Sequence, residues 1–585
     1  MTKMIVLKGI PASEGVAVSQ VFKYFSKGSI EVPKECKATD KELEKLDSSL
    51  ERYRKYLSEL LNIVEESERD LIQAYIMIAE TLVNEAKEAV VSGGVCGELA
   101  LKQVLDKYLA LMDQSGSELF ALRKSDLIDI ALALTELMHS ERISSDVAEA
   151  RGKIVVSEEL TPTTFFRLQR VGVKGLVTLK GGITSHVAIL ARTYGIPYVI
   201  VPNLDPGVVV DNAIVVVDGF EGRVIINPSN ETLKYYEEKE RLIAELMATV
   251  KRYAYEKTKT LDGYEVEVLC NVGNVEEARV ASAQGCEGIG LFRVEYLFMA
   301  SKPPSEETLM NAFAKAASFF EGKPVVIRAP DLGADKPPPF ITIKEDNPLL
   351  GLRGIRFLLE YREEVLKPFL RGFLKAYAQH KNLKLMIPMV IKPSEVIEFI
   401  EIMHGVAQEI GVNNLESLEL GIMIETPSAA ILIDKFTKIP QLKFVSFGTN
   451  DLTQYVLAVD RTNPRLAKLY NELEPSVLRI MAKSIEEALK HGLKVEICGE
   501  MASKPIAIPI LLALGLRTLS VNPRYVGLIK YIINNIKIQD VTLLKDAVLN
   551  ADNSDEVKKA ILNYIHTSEI IRSHSNVLQI LTTMS

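Results

Sequence analysis

The sequence predicts an α/β multidomain protein that ends in a (β/α)8 barrel, on three observations. They are an amphipathic helical block, a compact unit of short β-rich runs, and a final stretch in which strand and helix patterns alternate eight times. At 585 residues the chain exceeds what one hydrophobic core organises, so several domains are expected. Its 47% hydrophobic and 25% charged residues are ordinary for a globular protein. A net charge of −8 argues against nucleic acid or anionic membrane as partner, because either demands a dominant basic surface.

Met4 to Val18 is short, strand-like and punctuated by Gly9, Pro11 and Gly15. From Asp40 to Glu66 the texture changes: Leu43, Leu46, Leu50, Tyr53, Leu57, Leu60 and Val64 recur three and four apart among charges, which predicts an amphipathic helix. More helix follows to about Ser140, broken at Ser92-Gly93-Gly94. Between Ile154 and Ile226 the β-rich runs Gly175 to Leu179, Tyr198 to Val201, Ala213 to Val217 and Val224 to Ile226 alternate with turns and one short helix. A charged helix from Thr232 to Lys257 has no strand to pair with and reads as a linker.

No apolar core follows a basic segment at the start, so no signal peptide is expected. The longest apolar run, Ile506 to Leu516, holds Pro509 and Gly515, is too short to span a bilayer, and reads as a buried helix. The five cysteines, Cys36, Cys96, Cys270, Cys286 and Cys498, are scattered without Cys-x-x-Cys spacing, which fits a reducing cytosol and no structural zinc.

The eight apolar runs begin near Val266, Gly288, Val325, Leu385, Leu420, Phe444, Val495 and Leu519. A doubly wound open sheet would give a similar pattern, but the run ends favour a barrel. They finish in Asn271, in Arg293 and Glu295, in Arg328 and Asp331, in Met389, in Glu425, in Asn450 and Asp451, in Cys498 and Glu500, and in Asn522. All but Met389 are polar or reactive, and a barrel enzyme gathers such groups at the carboxyl ends of its strands.

Glu425 and Asp451, at neighbouring strand ends, would suit octahedral Mg2+ with water and substrate oxygens, although Asp451 before Leu452-Thr453 would also serve as a helix cap. Arg293, Arg328 and Arg461 offer planar forks for phosphate and carboxylate. Cys498 is open to two readings, a small buried apolar residue or a thiol that donates a proton to an enolate carbon. Among seven histidines, His186 differs: it follows a strand, the Gly181-Gly182 turn and Thr184-Ser185, and it opens a helix through Val187 to Leu190. An imidazole there lies beside helix N-terminal amides that favour an incoming phosphoryl group, and near neutral pH much of it is nucleophilic; a structural cap is the alternative.

These residues resemble Enzyme I of the bacterial phosphoenolpyruvate-dependent sugar phosphotransferase system. The resemblance covers nearly the whole chain. It runs through Lys8-Gly-Ile-Pro-Ala-Ser-Glu-Gly-Val-Ala-Val18, Gly181-Gly-Ile-Thr-Ser-His-Val-Ala-Ile-Leu-Ala-Arg192 and Gly290-Leu-Phe-Arg-Val-Glu-Tyr-Leu-Phe-Met299. It continues in Gly421-Ile-Met-Ile-Glu-Thr-Pro427, Phe447-Gly-Thr-Asn-Asp-Leu-Thr-Gln-Tyr455 and Cys498-Gly-Glu500. It implies a swivelling phosphohistidine α/β domain from residues 1–25 and 141–228, an inserted all-helical domain at 26–140 that docks the phosphocarrier HPr, a linker helix at 229–259, and a phosphoenolpyruvate-binding barrel at 260–585 that dimerises. It further implies that His186 is phosphorylated, that Glu425 and Asp451 hold Mg2+, that Arg293, Arg328, Asn450, Asp451 and Arg461 bind phosphoenolpyruvate, and that Cys498 protonates the pyruvate enolate.

Several positions depart from the family pattern. Val294 and Ala329 stand where threonine usually follows each phosphate-binding arginine, which removes two hydroxyls. Pro330 and Pro337-Pro338-Pro339 stiffen the loop after the third barrel strand, and Ala334 replaces a customary glycine. In the helical block Tyr75 replaces a customary histidine and Ile128 stands where arginine is frequent.

Overall fold

The computed structural model describes residues 4–24, 30, 32–33, 40–61, 66–114, 118–139, 145–182, 185–300, 302–333, 337–461, 463, 466, 469–569, 573–575, 578 and 582. The chain divides into two compact units, Met1–Glu245 and Leu246–Ser585.

In the first unit the short runs become strands β1 (Ile5–Lys8), β2 (Ile10–Ser13), β3 (Val16–Tyr24), β4 (Ile154–Ser157), β5 (Gly175–Thr178), β6 (Tyr198–Ile200), β7 (Ile214–Asp218) and β8 (Arg223–Ile226). They form one sheet in the order β1-β8-β7-β3-β4-β5-β6-β2. The stretch β3 to β6 is parallel, and the flanking pairs are antiparallel. Between β3 and β4 the chain makes four long helices, Asp40–Leu61, Glu66–Gly93, Gly97–Gln114 and Glu118–His139. The helical block is thus an insertion between two paired strands, and Leu46, Leu50, Tyr53 and Leu57, on one stripe of its first helix, lie buried in the core it shares with the sheet.

The helix Asn230–Val250, for which the sequence offered no strand partner, has one. Leu233, Tyr236 and Ile243 pack on Val16, Val18, Val216 and Ile225, and buried Lys239 pairs with Asp218 at 2.7 Å. Three apolar residues spread over eleven positions are a narrow stripe, easily lost among charges in the sequence. The division between the two units falls within this helix.

In the second unit β9 (Glu267–Val272), β10 (Ile289–Phe292), β11 (Val325–Arg328), β12 (Leu383–Ile387), β13 (Leu420–Ile424), β14 (Leu442–Phe447), β15 (Lys494–Ile497) and β16 (Thr518–Val521) pair in parallel and close on themselves, β16 against β9. Closure excludes the open-sheet alternative. Side chains alternate by strand geometry: Leu291, Val326, Met386, Met423 and Phe444 cluster with Cys498, while Ile327, Leu385, Ile387, Ile422 and Ile424 join the larger core with the surrounding helices. The run Ile506 to Leu516 is buried as expected, its centre forming the helix Ile508–Ala513. No helix among the described residues is long and apolar enough to cross a membrane.

The cysteines require a correction. Cys270 on β9 and Cys286, just before β10, form a disulfide with their Cα atoms 5.9 Å apart, and Cys96 is also disulfide-bonded. Parallel neighbouring strands bring residues sixteen apart in sequence side by side, a contact that scattered spacing does not announce. Cys36 lies outside the described residues; Cys498 is free and buried.

Candidate active site

His186 is the first residue of the helix His186–Tyr194. The capping duty that His186 was open to falls instead to Ser185, whose hydroxyl accepts from the Ala188 amide at 3.2 Å, and Gly195 ends the helix in the left-handed region. Strand β5, the turn at Gly181 (φ 125°) and this cap bring His186 to the helix start; its imidazole lies outside what the structure describes.

The remaining predicted residues collect at the carboxyl end of the barrel. Glu425, immediately after β13, is 1% exposed. Its Oε1 accepts the Met389 amide at 2.6 Å, whereas its buried Oε2 has no hydrogen-bond partner. Burial first, then the charges of Asp451 and Asp331, push its pKa up to about 8. Asp451 accepts from Arg353 at 3.1 and 3.2 Å and lies 3.7 Å from Arg461. Arg328 is buried, donates to Glu295 Oε1 at 2.9 Å, approaches Asp331 at 3.5 Å, and keeps an unpartnered Nε. Arg293 is exposed and makes no ion pair with another described residue. Asn450 accepts the Glu500 amide through Oδ1 at 2.8 Å.

The Cys498 thiol is 3.8 Å from the Phe447 carbonyl. Burial, the main cause, together with the nearby Glu425 charge pushes its pKa up to about 12, so it stays a protonated thiol, suited to giving a proton and not to nucleophilic attack. Asn271 fastens the floor: its amide donates to the carbonyls of Cys498 and Ser520 at 3.0 and 3.2 Å.

One central residue escaped sequence reasoning. Arg353 is 3% exposed and forks between Asp331, at 3.0 and 2.9 Å, and Asp451. It lies on a long loop and not at a strand end, and its only signal was an arginine preceding Gly354 in Gly351-Leu-Arg-Gly354.

The donor set fits a hard divalent cation. Glu425 Oε2 is an orphaned anionic oxygen in a buried site, Asp451 supplies a second carboxylate, and a Cβ placed on Gly448 would stand 2.8 Å from that oxygen, so the glycine keeps the space beside it clear. Guanidinium groups, two acids and a protonated thiol at the mouth of a closed parallel barrel, in a chain that also carries a histidine at a helix start, define a phosphoenolpyruvate-utilising enzyme. Family descriptions match in that order: PEP-utilising enzyme, N-terminal, at residues 8–123; mobile domain at 149–222; PEP-binding domain at 247–538.

The chain belongs to the phosphoenolpyruvate-protein phosphotransferase family. It is 34% identical over 580 residues to the phosphoenolpyruvate-protein phosphotransferase of Priestia megaterium, covering 97% of this chain and 100% of that one. To the Bacillus subtilis (strain 168) protein of the same description it is 33% identical over 562 residues, 94% and 98% of the two chains. An NMR solution structure of an Enzyme I protein is 26% identical, covers 40% of this chain and 98% of that one, and has a TM-score of 0.33.

Proposed function

We propose that the chain takes the phosphoryl group of phosphoenolpyruvate onto His186, releases pyruvate, and passes the group to a carrier of the HPr type. The observation that carries this reading is the pairing of a buried, protonated Cys498 with unsatisfied anionic and cationic groups at one barrel mouth. Loss of the phosphoryl group from phosphoenolpyruvate leaves an enolate, and a thiol that keeps its proton is the group to quench it. Arg293, Arg328 and Arg461 would neutralise phosphate and carboxylate oxygens as charge spreads in a loose transition state, with Asn450 and Asp451 orienting the substrate. Glu425 and Asp451 would hold Mg2+, which when bound supplies positive charge to the phosphoryl oxygens. Arg353, now clasped between Asp331 and Asp451, keeps the second acid from facing the first unscreened.

The carrier would dock on the helical insertion. Residues 40–139 contain 20 acidic and 11 basic side chains, so this part is more negative than the whole chain at −8 and would attract a basic surface. Because one imidazole must meet both the barrel and the carrier, the phosphohistidine domain would swivel about 140–153 and 227–232; of these, 140–144 lie outside the described residues. Dimerisation through the barrel is proposed on family membership.

A second reading is favoured by Val294 and Ala329, both fully buried beside the phosphate-binding arginines without a hydroxyl to offer. On that reading the barrel senses phosphoenolpyruvate with little transfer. One assay separates the two: labelled phosphoenolpyruvate, Mg2+ and HPr. Acid-labile label that appears on the chain and moves to HPr supports transfer, and substrate binding without label supports sensing.

A further inference from the structure

Of the eight strand ends, the one at β12 looked chemically empty, because Met389 has nothing to offer a phosphate or a cation. Its backbone does. Met389 lies in the left-handed region at φ 57° although it is not glycine, and it is 1% exposed. An L-residue held there is strained, and such strain persists only where the surroundings enforce it. Here its effect is to aim the Met389 N–H at Glu425 Oε1, at 2.6 Å.

The next residues continue the attachment. Thr426 donates its hydroxyl to the Val390 carbonyl at 2.7 Å, and Ser428 donates to the Ile391 carbonyl at 2.7 Å. Three consecutive residues after β12 are thus zipped to the segment that carries Glu425. Opposite Met389 sits Gly354, itself at φ 58°, where an added Cβ would come within 2.5 Å of the Met389 Cβ. The left-handed methionine fits because its neighbour lacks a side chain. Gly354 directly follows Arg353, so one close backbone contact ties the mount of Glu425 to the mount of the arginine that clasps Asp451.

We propose that Met389 is a positioning residue: its strained amide occupies one oxygen of Glu425 and leaves the other, unpartnered oxygen available to a divalent cation. This rests on the reading of Glu425 as a metal ligand. The amide is what matters, so the side chain should be dispensable and the left-handed backbone should not. Glycine adopts that conformation freely and keeps the N–H, whereas a β-branched residue resists it and swings the amide away.

The test is Mn2+ affinity of the full chain without substrate, read from the electron paramagnetic resonance of free Mn2+, with thermal unfolding as the check on folding. M389V is expected to weaken Mn2+ binding roughly 10-fold or more, as loss of an outer hydrogen-bond partner does, and M389G to stay within about 3-fold of the parent. G354A, which pushes on the same backbone, should act like M389V and serves if M389V does not fold. Parental affinity in a folded M389V or G354A, or a loss in M389G as large as in M389V, overturns the proposal. No Mn2+ binding by the parent chain sinks the metal reading beneath it, a distinct result.

Discussion

The two halves of the proposed chemistry are built in opposite ways. His186 is placed by elements close in sequence: strand β5, the turn at Gly181, the Ser185 cap and the short helix His186–Tyr194. The barrel site is assembled from groups far apart in sequence, as in the bond from Asn271 to the Cys498 carbonyl across 227 positions. A local site depends on turn and cap chemistry and can be carried about as a unit. A distributed site depends on closure of the barrel and must stay rigid. The phosphoryl group would therefore travel on the portable half and be charged at the fixed one.

The largest effect is expected at the portable half. H186A should abolish acid-labile label from phosphoenolpyruvate, read on the purified chain; label that persists would mean the local motif is not the carrier. S185A is the contrast. It removes only the cap, so it should cost about 1 kcal/mol of stability and leave labelling in place.

On the fixed half, C498A should slow steady-state pyruvate formation by roughly 10²- to 10⁴-fold, the usual weight of a placed acid, while leaving Mg2+-dependent substrate binding intact. Equal loss of binding and turnover would make Cys498 a packing residue. A smaller effect is expected from V294T and A329T. Each returns a hydroxyl beside an arginine proposed to bind phosphate, and a hydrogen bond to a charged group is worth about 1.5 to 3 kcal/mol, so KM for phosphoenolpyruvate should fall by about tenfold or more per substitution. An unchanged KM in the double variant would show that backbone geometry already compensates.

The difference between the halves also explains what the sequence could reveal. The His186 helix and the eight strands were legible because both follow from patterns within ten or twenty residues. So were Glu425, Asp451 and Cys498, since closing a parallel barrel turns a list of strand ends into one surface. Arg353 was not, because it sits on the loop after β11, and only the folded path of that loop carries it between Asp331 and Asp451. Nor was the Cys270–Cys286 bond, which needs the neighbouring register of β9 and β10. Met389 marks the deeper limit: its contribution is a backbone direction, which residue type does not encode.

The smallest effect tests whether the fixed half waits for a cation. Glu425, with an ordinary carboxylate pKa near 4.3 in the unfolded chain, is pushed to about 8 in the fold, chiefly by burial. A pKa raised by folding gives stability that is complete below the unfolded value and is lost as pH climbs through the folded one. The metal-free protein should therefore be less stable near pH 8.5 than near pH 6. A bound cation displaces that proton and removes the penalty of the bare carboxylate, so the rise in Tm caused by Mg2+ should be larger near pH 8.5 than near pH 6, by on the order of a few degrees. E425Q should erase the pH dependence of that rise, because no proton is then in competition. Cys498, at about 12, holds its proton across this window and does not obscure the reading. An Mg2+ shift of equal size at both pH values would mean that Glu425 is already ionised without metal, compensated by Arg328 and Arg353, and that the barrel mouth is complete before any cation arrives.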